Sequence, residues 1–163
     1  SLEPQHFQRG LDPKEAMGIG KYAKIKAWLD EMGVKNYTIN DDYTIDVDRS
    51  VNLHNKNLDK FPDYIQFGNV KGSFWCDHNQ LTSLRGSPKY VKKSFSCSYN
   101  QLTSLRGSPK YVKESFSCSY NQLTSLEGAP KYVGGSFFCW DNNRKFTKEE
   151  VRSICKVRND IYV

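Results

Sequence analysis

Thiols, imidazoles and carboxylates have the most chemistry to offer in this chain, and their spacing limits what they could do. Cys76, Cys97, Cys118 and Cys139 recur every 21 residues, with Cys155 apart. A zinc site is normally announced by Cys-x-x-Cys or closely paired histidines, and neither occurs. The five cysteines are odd in number and nothing marks a secreted route. They are therefore expected to be reduced core filler, in a cytoplasmic setting. His6, His54 and His78 are scattered and lack the partners of a catalytic triad in motif context. Asp41, Asp42, Asp46 and Asp48 cluster, but without the glycine and final glutamate of an EF-hand, so they read as turn residues. No glycine-rich phosphate loop is present. These patterns predict a protein that is not an enzyme and has no metal and no cofactor.

The cysteines stand in file because the chain repeats. Ser94 to Val112 recurs nearly intact from Ser115 to Val133, occurs earlier from Ser73 to Val91, and begins again at Ser136, always at a 21-residue step. Phe74, Phe95, Phe116 and Phe137 form one column; Asn79, Asn100, Asn121 and Asn142 form another. Leu81, Leu102 and Leu123 precede Leu84, Leu105 and Leu126. A degenerate copy is expected from Val51 to Leu58, closing at Phe61-Pro62. Phe-x-Cys alternation puts both side chains on one face of a short strand. The asparagine, at the turn out of the strand, can bond backbone groups of adjacent turns. Glycine and proline redirect the chain, and Tyr-Val closes a back wall. No single repeat can bury its apolar set, so the copies must stack.

The pattern Phe-x-Cys-x-x-Asn-x-Leu-x-x-Leu resembles the leucine-rich-repeat signature, with Phe and Cys in two leucine places. The short period and Leu-x-x-Leu-x-x-x-Pro are similar to the compact bacterial type. The resemblance covers about 51–143 and implies an α+β fold: a short right-handed solenoid of four to five turns, with a curved parallel sheet and helical N- and C-terminal caps. The wider chain, with Lys35 to Asp42 and Lys145-Phe146-Thr147, resembles small repeat proteins of tailed bacteriophages. That likeness implies a viral protein in the host cytoplasm, with a host protein, such as a defence component, as partner.

The organisation expected is a disordered or extraneous tail at 1–10, an N-terminal cap at 11–48, the solenoid at 49–143 and a C-terminal cap at 144–163. Asp12-Pro13 opens a short helix that Gly18 and Gly20 interrupt. A second helix, 21–32, sets Tyr22, Ile25, Trp28, Leu29 and Met32 on one face. Strands at 37–39 and 43–47 flank Asn40-Asp41-Asp42 as a hairpin. Thr147 and Glu150 form a capping box. Val151, Ile154 and Cys155 make the last helix's apolar face, and Ile161-Tyr162-Val163 a closing strand.

The outward strand positions would line the concave face on which such solenoids bind. One column reads Trp75, Ser96, Ser117, Phe138; the next reads Asp77, Ser98, Ser119, Trp140; beside it stand His78, Tyr99, Tyr120 and Asp141. Trp75, Phe138 and Trp140 read either as interface anchors or as cover under the caps. Charge is uneven as well. Between Lys71 and Lys131, nine basic side chains face three acidic ones. Arg85 and Arg106 stack in one column, and Lys89, Lys110 and Lys131 in another, as a basic ridge away from the concave face.

The 163 residues argue for one domain. A hydrophobic share of 37%, an aromatic share of 13% and a mean hydropathy of -0.71 suit a thin fold with an aromatic interior. A net charge of +6 permits an acidic protein, a nucleic acid or a membrane surface as partner. No apolar run approaches the roughly 20 residues of a membrane span, and the polar start shows no signal peptide. The reading is a protein-binding module acting through the concave face. Nucleic-acid binding along the ridge, or a structural role in a virus particle, is the alternative.

Overall fold

The structure, a computed structural model, describes residues 13–163; the predicted tail and the Asp12 cap lie outside them. It opens with one continuous helix, α1 (Pro13–Glu31), where the sequence predicted a break at Gly18 and Gly20. A helical glycine costs only about 1 kcal/mol against alanine, and Ile25, Trp28 and Leu29 anchor the helix in the core. A Cβ at Gly18 would stand 2.7 Å from the Tyr43 hydroxyl, so the missing side chain makes room for the next element. Tyr22, expected on the buried face, is exposed, and Met32 is half-buried.

The predicted hairpin forms from β1 (Tyr37–Ile39) and β2 (Ile45–Val47), antiparallel, with Tyr37 opposite Val47. Asp41 and Asp42 lie in the turn, where Asp42 Oδ1 accepts from the Thr44 amide and hydroxyl; Asp46, read as a turn residue, instead lies within β2, where its Oδ2 accepts from Asn40 and its Oδ1 from the Asn69 amide.

Each turn of the solenoid then contributes two strands. One set is β3 (Val51–Asn52), β5 (Phe74–Trp75), β7 (Phe95–Ser96), β9 (Phe116–Ser117), β11 (Phe137–Phe138) and β13 (Ile161–Tyr162), all parallel. The other is β4 (Phe67–Val70), β6 (Tyr90–Val91), β8 (Tyr111–Val112), β10 (Tyr132–Val133) and β12 (Lys156–Val157), parallel to one another and to β2. The fold is thus a parallel-sheet β-solenoid of about six turns with two helices. The expectation of a single curved sheet is corrected. Tyr-Val dipeptides have strong strand preference, and at a fixed repeat step their backbones meet as regularly as those of the Phe strands. The four to five turns expected become about six because β12 and β13 add a turn beyond the recognisable repeats.

The interior is built of columns. Phe74, Phe95 and Phe116 stack at centroid distances of 5.6 and 5.5 Å, and Trp28 of α1 meets Phe61 and Phe67 edge-on at 6.4 Å. The asparagine ladder forms as read. Asn100 Nδ2 donates to the carbonyls of Cys76, Cys97 and Ser98 at 3.0–3.2 Å, and its Oδ1 accepts from the Leu81 amide at 2.9 Å. Asn79, Asn121 and Asn142 make equivalent bonds. At Gly107 φ is +89°, and a Cβ would lie 2.8 Å from the Leu84 backbone; only glycine lets consecutive turns approach so closely.

Helix α2 (Lys148–Ile154) starts at the predicted capping box, with Glu150 N donating to Thr147 Oγ1 and Thr147 N to Glu150 Oε1, both at 3.1 Å. Val151 and Cys155 are buried, but Ile154 is exposed, contrary to its predicted place on the apolar face. The seven-residue helix is too short to bury a third position before the chain leaves for β12.

Candidate binding surfaces

Two surfaces gather the residues that the sequence singled out. The first runs along the sheet of β3 to β13 and the turns that leave it. Backbone register fixes its columns: Trp75 lies beside Ser96, Ser117 beside Phe138, and Phe138 beside Tyr162. Trp75 is exposed; Ser96, Ser117, Phe138 and Trp140 are half-buried. Phe138 stacks on Tyr162 at 4.8 Å and meets Trp140 edge-on at 5.5 Å, so the two far aromatics pack into an end cluster while Trp75 stays open. Tyr162 completes that cluster and was missed in the sequence, although it follows Ile161 just as Phe138 follows Phe137. Ser98 and Ser119, read as outward, are buried. The chain turns at the next residue and tucks them in, with the Ser98 hydroxyl bonded to that of Ser117 and Ser119 Oγ accepting from Trp140 N.

The adjoining turn column stands in the open. His78, Tyr99 and Tyr120 all adopt left-handed backbone, with φ of 55°, 56° and 58°. Their rings stack at 4.3 Å for both steps, with interplanar angles of 17° and 10°. Asp141 takes the same conformation at the next turn. Left-handed backbone costs a bulky residue roughly 1–2 kcal/mol, and Gly, Asn, Asp or His is the ordinary occupant. Tyr99 and Tyr120 thus hold a ring where local conformation disfavours it, in two successive turns.

At the start of this stripe, His54 and His78 lie on either side of Asp77. Asp77 Oδ2 is 2.7 Å from His54 Nδ1 and 2.9 Å from His78 Nδ1. Burial alone would raise the Asp77 carboxyl, but the bonds to His78 and then His54 outweigh it and hold the group below its ordinary range. His54 and His78 are far apart in sequence but not in space. The step from the β3 turn to the β5 turn is 23 residues, not 21, and that obscured their alignment.

The second surface is a groove of about 850 Å³ beside the Arg-Gly-Ser-Pro-Lys turns. All five predicted ridge residues, Arg85, Lys89, Arg106, Lys110 and Lys131, line it, together with Ser153 and Ile154 of α2. Lys110 N bonds to Lys89 O and Lys131 N to Lys110 O, each at 2.9 Å, so the lysines rise one per turn. Arg106 pairs with Glu127 at 2.7 Å; among the described residues, Arg85 and the three lysines make no ion pair. The exposed ridge expected from sequence is therefore the wall of a groove. Its other wall comes from the C-terminal helix, which repeat periodicity could not place.

All five cysteines are free and buried. Burial drives the thiols of Cys76, Cys97 and Cys118 well above their ordinary range, and pushes Cys139 and Cys155 up to about 11. Burial of this kind disfavours the thiolate, the reactive form. No helix among the described residues is long and apolar enough to cross a membrane. Compared with family models, curated proteins and solved structures, the chain matches none of them.

Proposed function

We propose that this protein is a non-catalytic binding module of the leucine-rich-repeat type, its two helices serving as end caps, and that it holds a protein partner against the stripe of Trp75, His78, Tyr99 and Tyr120. The observation that carries this reading is the exposed Tyr99 and Tyr120 rings, kept in left-handed backbone in two successive turns. Strained, exposed and regularly repeated side chains are better accounted for by use than by stability. Aromatic rings with restricted rotamers are favoured interface anchors, because little freedom is lost when they engage. The bacteriophage-type resemblance makes a host protein the natural partner class.

A second reading rests on the groove. Its regularly stepped cations suit a polyanion such as a nucleic-acid backbone, and it lies among the Arg-Gly-Ser-Pro-Lys turns rather than on the aromatic stripe. One experiment separates the two. Immobilised protein is exposed to bacterial lysate with and without nuclease, beside a Tyr99→Asn/Tyr120→Asn variant and a Lys89→Glu/Lys110→Glu/Lys131→Glu variant. Nuclease-resistant capture of a defined protein, lost with the rings but not with the lysines, is the expected result. Nuclease-sensitive capture lost only with the lysines would replace it with the groove reading.

A further inference from the structure

The sheet-exit turns of this solenoid follow one rule and break it at one end. In the two central turns the paired positions are Ser98-Tyr99 and Ser119-Tyr120; one turn earlier they are Asp77-His78, and before that the register brings His54 to the serine column. The framework around Asp77-His78 is unchanged: Phe74, Cys76, Asn79 and Leu81 match the later turns and are buried. Against the next turn only Trp75, Asp77 and His78 differ, and the last two, with His54 from the turn before, bring together two imidazoles and a carboxylate.

These three side chains converge. Their ligand atoms all lie within 4.8 Å of one another, the one group of its kind among the described residues. We propose that His54, Asp77 and His78 form a site for a divalent transition-metal ion of the zinc class, at the end of the aromatic stripe. Two nitrogens and one carboxylate oxygen are the donor set that such borderline ions prefer over calcium or magnesium. Zinc bonds of about 2.0–2.2 Å place neighbouring ligand atoms about 3.3 Å apart in a tetrahedron. The present Asp77-to-imidazole distances of 2.7 and 2.9 Å would open by only a few tenths of an ångström. Both imidazoles are about half exposed, while the Asp77 side chain is 17% exposed, so the carboxylate is fixed and the rings adjust around it. His78 is further steadied by the Tyr99 ring on its face. Three protein ligands leave a fourth position open to solvent or to a group from a partner.

The test is calorimetric titration of the reduced, full chain with zinc chloride, after removal of metals with a chelator. One equivalent of saturable uptake is expected. His54→Ala and Asp77→Asn should each weaken it roughly tenfold or more, and His6→Ala should leave it unchanged. The decisive variant is Asp77→Ser/His78→Tyr, which gives this turn the Ser-Tyr pair of the next two turns and so keeps a pair that the same framework already carries twice. It should retain the wild-type circular dichroism and unfolding midpoint in chelator, and lose both uptake and the zinc-induced rise in midpoint. No saturable uptake by the wild type would overturn the proposal. So would uptake that survives Asp77→Ser/His78→Tyr or disappears in His6→Ala.

Discussion

Two ring ladders climb the same sheet and meet opposite conditions. Phe74, Phe95 and Phe116 stack inside, with Phe137 tilted against the last of them and no solvent contact to speak of; His78, Tyr99 and Tyr120 stack outside, in left-handed backbone. The spacing of both follows from parallel strands rising about 4.8 Å per turn, so stacking by itself signals neither stability nor function. The environments separate the two. The inner rings gain from burial on every face, whereas the outer rings carry a conformational cost and face water. One ladder holds the solenoid together, and the other is what the solenoid presents.

The largest effect that would test this division is Phe116→Ala. Loss of a fully buried ring is expected to cost roughly 3–5 kcal/mol, read from the urea midpoint; a cost below 1 kcal/mol would erase the distinction. Next is Asn100→Ala, which orphans the buried Leu81 amide and the carbonyls that Asn100 now satisfies. A loss on the order of 3 kcal/mol is expected by the same measurement, showing that the polar spine beside the rings is also structural. Tyr99→Asn should fall at the other extreme. Relief of left-handed strain, roughly 1–2 kcal/mol, offsets the loss of two ring contacts, with His78 and Tyr120, of about 0.5–1.5 kcal/mol each. Stability should therefore stay within about 1 kcal/mol of wild type, while capture of the partner is lost. A large destabilisation would make the outer ladder structural too.

The smallest effect concerns the C-terminal helix, where a charge pair takes the place of rings. The Arg144 guanidinium beside Glu150, with the Thr147 amide, holds the Glu150 carboxyl down at about 2. A carboxyl with a depressed folded pKa lends stability above its unfolded pKa of roughly 4.3 and loses it as pH falls toward the folded value. Glu150→Gln should melt slightly below wild type near pH 6, and the gap should close between about pH 4 and pH 2. A gap that persists unchanged at low pH would show that the capping bonds, not the charge, matter.

Much of this was legible because repetition multiplies a weak signal. One Phe-x-Cys says little, but three near-copies fix the strand, its inward face and the asparagine ladder. The hairpin around Asn40 and the box of Thr147 and Glu150 were readable from local chemistry alone. What escaped depended on information that period and propensity do not carry. Gly18 and Gly20 read as breaks, since burial of Ile25 and Trp28 and the fit against Tyr43 are tertiary facts. The Tyr-Val strands looked like a wall rather than a second sheet, because two residues are too few to show alternation. His54 and Asp77 were separated by an irregular 23-residue step, and the groove needed the position of α2. The candidate columns beside the strands were legible as positions. Which of them stay open, Trp75 and Tyr99 but not Ser98 or Ser119, was set by the left-handed turn after the strand.

The file of buried thiols has one more consequence. Cys76, Cys97, Cys118 and Cys139 each sit in a different turn, and a thiol shielded in this way reacts only when its own turn opens. The molecule therefore carries an internal clock for each rung. The rate at which a disulfide reagent labels each cysteine would give the opening free energy turn by turn, and would show whether the array frays from its ends or melts as one.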